Sequence, residues 1–226
     1  MHVLDNPIWH SLRTRHARFA DGGDLARRYP PAVTPLAGLP EPSTRAYEVL
    51  FRLLPPREMA GLFLEAPARP PGGVVVETDR IAQMMWLGTR PPRVASAVTL
   101  GTLDAPEMVA LAKLTNPGPF GQRTHELGKY IGIRQDGVLV AMAGERLHLD
   151  GYVEISAVCT LPEHRGRGHA SALVSQLVQE ISARSEIPFL HVRADNTEAI
   201  RVYKRLGFVT RRELYVSIVA PASARP

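Results

Sequence analysis

Apolar and polar positions follow two periods along this chain, and the places where the period changes predict its elements. Alternation with a period of two marks Tyr130–Arg134 and Val138–Glu145 as strands, and the Gln135-Asp136-Gly137 link between them favours a tight hairpin. A further strand, Tyr152–Thr160, stops at Pro162. The period then lengthens, so that Leu173, Val174, Leu177, Val178 and Ile181 share one face of a helix over Gly168–Ala183. Strand Phe189–Arg193, helix Thr197–Leu206 ended by Gly207, and strand Phe208–Val219 follow. Upstream lie strand Val94–Leu100, helix Pro106–Leu114, a loop through Asn116–Gly121 and a short helix at Thr124–Gly128. Together these predict an α/β (α+β) domain over residues 94–226, with a mixed central sheet flanked by helices.

Residues 1–93 read differently. Thirteen of the 20 prolines lie at or before Pro92, and Pro67–Gly73 cannot be regular structure. Between these interruptions the pattern predicts a helix over Thr44–Leu54, a short strand at Met59–Leu64, and a strand within Val74–Trp86. The expectation is a smaller N-terminal α/β region of unknown role packed on the C-terminal domain.

Composition narrows the class. With 226 residues, 45% of them apolar, the chain can bury a substantial core. No apolar run reaches the ~18 residues of a membrane span, and the N-terminus lacks the apolar core of a secretory signal. The single cysteine excludes an internal disulfide and favours a cytoplasmic location. The net charge of +5 comes from basic residues that are scattered rather than striped with aromatics, so it argues for an anionic cofactor more than for nucleic acid. No histidine pair has zinc-type spacing, so no metal is expected.

The chemistry concentrates where strand Tyr152–Thr160 runs into the next helix through Pro162-Glu163-His164-Arg165-Gly166-Arg167-Gly168-His169-Ala170. Two glycines let the backbone turn tightly, and the first helical turn leaves N–H donors free, which makes an anion site. The wording fits neither a P-loop, which ends in Lys followed by Ser or Thr, nor a dinucleotide fingerprint with its third glycine.

Arg165-x-x-Gly168-x-Ala170 resembles the pyrophosphate loop of the GNAT superfamily of acyl-CoA-dependent N-acyltransferases. Downstream, Asn196-Thr197-Glu198-Ala199 through Tyr203 to Gly207-Phe208 is similar to that family's second block. The wording of Glu154–Thr160 and Pro188–Val192 resembles its glycine-N-acyltransferase-like branch. The resemblance implies an enzyme that moves an acetyl (acyl) group from acetyl-CoA to a primary amine of a small molecule or amino acid, directly in a ternary complex. It also implies a mixed, mostly antiparallel central sheet in which the strand before the loop splays from its neighbour. Backbone groups at Val158, Cys159 and Thr160 would then meet pantetheine, with Arg165, Gly166, Arg167, Gly168, His169 and Ala170 around the pyrophosphate. Asn196 would contact the pantetheine arm, and Tyr203 would protonate the departing thiolate.

The remaining roles rest on the residues themselves. Strict alternation puts Tyr152, Glu154, Ser156, Val158 and Thr160 on one face and Cys159 on the other. Partial burial would raise the pKa of Glu154 and suit it to act as general base, directly or through water. A structural carboxylate paired with an arginine is the competing reading. Cys159 has no basic partner in sequence and reads as a buried thiol, and His191 reads as a core residue bordering the site. The acceptor pocket is expected along Asn116–Leu127, with Phe120, Arg123, His125 and Glu126 as contacts and Arg123 available to fork a substrate carboxylate. A non-catalytic acyl-CoA sensor is the alternative function, and the oligomeric state stays open, a homodimer included.

Overall fold

The computed structural model describes residues 2–88 and 97–222. Eleven strands form among them: β1 (Asp21–Gly22), β2 (Arg27–Arg28), β3 (Ala37–Gly38), β4 (Ala60–Leu64), β5 (Gly73–Trp86), β6 (Val98–Leu100), β7 (Tyr130–Gln135), β8 (Val138–Leu149), β9 (Tyr152–Thr160), β10 (Ile187–Arg193) and β11 (Phe208–Pro221). The helices are α1 (Pro7–Arg13), α2 (Thr44–Leu53), α3 (Ala105–Thr115), α4 (His169–Ala183) and α5 (Thr197–Arg205). The first three strands make a small sheet, and the other eight make one large sheet in the order β4-β11-β5-β10-β9-β8-β7-β6. Every neighbouring pair in the large sheet is antiparallel except β9 and β10. This is the mixed sheet expected from the hydrophobic pattern, with the mostly antiparallel pairing that the family resemblance implies.

Both faces are covered, because alternate residues of the strands are apolar on each side. Leu173, Val174, Leu177, Val178 and Ile181 of α4 meet Ala141, Ala143, Val153, Ile155 and Leu190 on one face. The next residues along the same strands point the other way. Met142 packs with Met108 and Leu111 of α3, and Phe189 packs with Leu4, Ile8 and Leu12 of the N-terminal segment.

Two expectations change. The N-terminal region supplies β4 and β5 to the large sheet, with β5 lying between β10 and β11 and antiparallel to both. The sheet therefore runs across the border expected at residue 93, which itself lies outside the described residues, as does the start of the strand expected at Val94–Leu100. Helix α1 was not signalled either. It is short, starts on Pro7 at its first turn, and is held by Ile8, Trp9 and Leu12 buried against distant strands rather than by its own periodicity.

Strand β9 bends at Ala157, whose φ of +52° is in the left-handed region. Its register against β8 shifts between Gly144↔Ser156 and Met142↔Cys159, which marks a β-bulge. Simple alternation fails here. Val158 joins the cluster under α4 with Val153 and Ile155, while Cys159 lies with Ala157 under α3.

Candidate active site

The parallel pairing of β9 with β10 covers only Ile187↔Tyr152, Pro188↔Val153 and Phe189↔Glu154. Beyond Glu154 the two strands part, so the backbone of β9 from Ile155 onward has an edge that β10 does not cover. The seam opens into a cleft of about 520 Å³ whose walls include Ile155, Ser156, Ala157 and Val158 of β9 and Asn196, Ala199 and Tyr203 of α5. A second cavity of about 400 Å³ lies between Asp5, Pro40, Tyr47 and Glu65 and holds none of the motif residues.

At the end of β9 the loop turns on Gly166 (φ +75°) and Gly168 (φ +80°), both in the region that L side chains rarely enter. Among the described residues a Cβ at either would meet nothing within 4 Å, so the space above the turn is open. No side chain caps α4 at Gly168, which leaves its first N–H groups available to an anion. Nε2 of His169 and Nδ1 of His164 are shielded yet have no hydrogen-bond partner among the described residues. Arg165 Nε reaches the Thr160 carbonyl at 3.4 Å, and Arg167 donates to the Glu163 carbonyl at 3.2 Å, so both guanidiniums fold over the turn. Open backbone, an uncapped helix end and orphaned ring nitrogens fit a pyrophosphate.

Asn196 is the N-cap of α5, its Oδ1 accepting from Ala199 N at 3.1 Å. Tyr203 stands two turns further along the same wall, packed against Phe208. Burial pushes the Tyr203 phenol up to about 12, so it stays protonated at neutral pH. Of the three β9 positions expected to meet pantetheine, Val158 lines the cleft. Cys159 and Thr160 are not on its wall. Burial raises the Cys159 thiol to about 11, so it is not a thiolate nucleophile at neutral pH.

Glu154 is not the raised-pKa base expected from its place on the strand. Burial on its own would raise the carboxyl, but the Arg146 charge and hydrogen bonds, with His191 adding to them, hold it down to about 2. Arg146 forks it with Nε at 2.8 Å and Nη2 at 2.6 Å, and His191 Nδ1 lies 2.7 Å away. Glu154 is wholly inaccessible and already saturated with partners, so its role is to anchor Arg146 and His191. The far side of His191 meets the Gln83 amide nitrogen at 3.0 Å, and the same nitrogen donates to the Leu4 carbonyl at 2.8 Å. Gln83 Oε1 accepts from Arg211, which pairs with Asp5. A polar row thus crosses five adjacent strands beneath the cleft.

The acceptor contacts expected at Phe120, Arg123, His125 and Glu126 do not line the cleft. Arg123 forks Glu126 at 2.6 and 2.7 Å, which removes it as a carboxylate clamp. Phe120 sits edge-on to Tyr130 under α3. The backbone of this stretch is tied to the N-terminal region through Arg123 N to the Ala32 carbonyl, and Arg18 donates to the Glu126 carbonyl. Only the start of the loop, Asn116–Pro119, reaches the cleft.

Sequence reasoning missed Glu77, Asp79 and Ile81 of β5 and Val216 and Ile218 of β11, which floor the other side of the cleft. It also missed Arg146, for which a signal existed. Arg146 and Glu154 are opposite charges inside apolar strands, on either side of the Asp150-Gly151 turn, where a cross-strand pair is favoured.

The FR47-like protein family matches residues 130–217. A solved structure of a GNAT-family protein from Novosphingobium aromaticivorans is 37% identical, with a TM-score of 0.92, over 98% of this chain and 100% of that one. The N-alpha-acetyltransferase RimI of Mycobacterium tuberculosis is 30% identical over 125 residues, 49% of this chain and 78% of that protein. The mycothiol acetyltransferase of Streptomyces griseus is 36% identical over 78 residues, which cover 34% of this chain and 25% of that protein. The chain belongs to the GNAT family of acetyltransferases. Its relatives are RimI-like and do not bring out the glycine-N-acyltransferase-like branch expected from the wording of β9 and β10. Among the described residues no group of three or more His, Cys, Asp or Glu is placed to hold a metal, and no helix is long and apolar enough to cross a membrane.

Proposed function

We propose that the chain is an acyl-CoA-dependent N-acetyltransferase that moves an acetyl group from acetyl-CoA to a primary amine of a small molecule or amino acid, by direct transfer and in the cytoplasm. The observation that carries this reading is the seam between β9 and β10. It leads from an open glycine turn at one end to a half-buried, protonated Tyr203 on its wall. Acetyl-CoA supplies the activated acyl group as a thioester.

Backbone N–H groups from Gly166 to Ala170 hold the pyrophosphate, and the α4 dipole adds roughly 0.3–1 kcal/mol for a negative charge there. The unpaired edge of β9 beyond Glu154 takes the pantetheine amides as a neighbouring strand would, and Asn196 borders the arm. As the amine attacks the thioester carbonyl and the carbon–sulfur bond breaks, Tyr203 Oη gives its proton to the departing thiolate. Glu154 is committed to Arg146, so the ammonium loses one proton to water at the cleft mouth before attack rather than to that carboxylate, and the second proton, shed by nitrogen as the amide forms, returns to the Tyr203 oxygen through water. A peptide N-terminus is a second acceptor reading, favoured by the RimI relatives, one of which is a ribosomal protein bS18 alanine N-acetyltransferase from Escherichia coli. The glycine-N-acyltransferase-like branch would instead call for a free amino acid.

The test is to incubate the protein with acetyl-CoA and a panel of amines, amino acids and short peptides while following free thiol. Amine-dependent release with matching acetyl-amide product supports the reading. Tight acetyl-CoA binding with no acceptor-dependent release would favour a sensor instead.

A further inference from the structure

We infer that the acceptor is a primary amine with an apolar body and no carboxylate on the carbon that bears the amine; this rests on the acetyltransferase reading and narrows its substrate class. The cleft has two unlike walls. Opposite α5, its floor is Phe63 of β4, Ile81 of β5, and Val216 and Ile218 of β11, an apolar surface contributed by three strands. Around that floor the charges are already matched or are negative.

An α-carboxylate enters wherever the amine enters, because a single carbon separates them. It must then find a cation or a set of fixed N–H and O–H donors, or lose its hydration uncompensated. Two guanidiniums line the cleft among the described residues, Arg146 and Arg193. Arg146 spends Nε and Nη2 on Glu154, and only Nη1 takes no part in that fork. Arg193 places Nη1 on Asp79 at 2.8 Å and Nε and Nη2 on Asp195 at 3.2 and 3.1 Å. Glu77, exposed on the same wall as Asp79, makes no contact ion pair among the described residues and acts on Arg193 only from a distance. Two guanidiniums therefore face four carboxylates: Glu77, Asp79, Glu154 and Asp195. The positive end of α5 lies on the cofactor wall and is capped by Asn196. Arg123, the one cation expected from sequence to hold a substrate carboxylate, is outside the cleft and forked on Glu126.

Such a wall attracts an ammonium and repels a carboxylate, while Ile81, Val216 and Ile218 accept a hydrocarbon body. An amine followed by a neutral carbonyl also fits, since the Nη1 edge of Arg146 can donate to a carbonyl without a counter-charge. Small arylalkyl amines and peptide N-termini share this chemistry.

Three acceptors separate the cases: 2-phenylethylamine, L-phenylalanine and a short peptide with a free apolar N-terminal residue. The first two have amines of similar basicity and differ in the carboxylate. At pH 8 with saturating acetyl-CoA, kcat/KM for 2-phenylethylamine is expected to exceed that for phenylalanine roughly tenfold. Glu77→Gln should narrow the gap several-fold, chiefly by raising KM for the amine. The better of the peptide and the small amine identifies the source. Phenylalanine used as well as 2-phenylethylamine, or better, overturns the inference. Each acceptor is also titrated calorimetrically into the CoA-loaded protein. If no acceptor is turned over but the carboxylate-free amine still binds preferentially, the acetyltransferase reading fails and the inference about the wall stands. Equal binding of both, or binding of neither, overturns the inference.

Discussion

The two walls of the cleft are built in opposite ways. The side we assign to the cofactor is local: β9 and α5 line the cleft, the loop at Arg165–Ala170 and helix α4 follow β9 directly along the chain, and each carries its own signature. The acceptor wall is assembled from β4, β5 and β11, which meet only because Gln83 pairs with His191, Ile81 with Leu214 and Phe63 with Val216 across the sheet. Binding a constant cofactor asks for fixed backbone geometry, which a few glycines and a cap supply. Binding a particular acceptor asks for side chains at the right distance, and long-range pairing supplies them. The first can be recognised in a sequence, and the second follows only from the fold.

The largest expected effect separates anchoring from catalysis. Glu154→Gln leaves Arg146 buried without its counter-charge and should cost about 3–5 kcal/mol of stability in denaturant unfolding. A general base would instead lose turnover and keep its stability. The pH dependence has a defined sign. Because the folded-state pKa of Glu154 is depressed to about 2 from 4.5, its contribution is fully present above the unfolded value and is lost as pH falls from about 4.5 toward 2. Denaturant midpoints measured from pH 6 down to pH 3 should fall in the wild type, and less steeply in Glu154→Gln.

On the cofactor wall, Tyr203→Phe should lower kcat roughly 100-fold with little change in the acetyl-CoA KM, since the phenol is asked for a proton and not for binding. Steady-state kinetics with acetyl-CoA varied at fixed amine would show this, and an unchanged kcat would remove Tyr203 as the acid. Gly168→Val forces a β-branched residue to a φ of +80° beneath the open turn. With strain of roughly 1–3 kcal/mol at such a position, acetyl-CoA affinity should drop by about 10- to 100-fold in calorimetry. The smallest effect falls on the expected acceptor contact: Arg123→Ala breaks an exposed ion pair with Glu126 and should leave kcat/KM within about twofold. A tenfold loss there would return the acceptor to the Asn116–Leu127 loop.

What was legible in the sequence follows this division. Gly166, Gly168 and Asn196 could be placed because left-handed backbone and helix capping restrict residue type at single positions. Strand β9 was bounded correctly at Tyr152–Thr160, yet its faces were misassigned beyond Ser156. The bulge that reverses them sits on Ala157, an ordinary alanine in a glycine-like conformation, and nothing in its residue type announces that. Glu154 was found as an unusual strand carboxylate, but its charge state depends on Arg146 across the hairpin and His191 on the next strand. The pattern marks β5 as a strand but not its place in the large sheet, because pairing with β10 and β11 leaves no local trace.

The central claim is that the cofactor lies in the seam between β9 and β10. Backbone amide shifts of the nitrogen-15-labelled protein, followed as acetyl-CoA is added, test it most directly. The expected result is that the largest shifts fall on Gly166, Gly168, Ala170 and Val158, with a smaller response at Asn196 and little at Phe120 or Arg123. Shifts gathered instead around Asp5, Tyr47 and Glu65, at the second cavity, would contradict it.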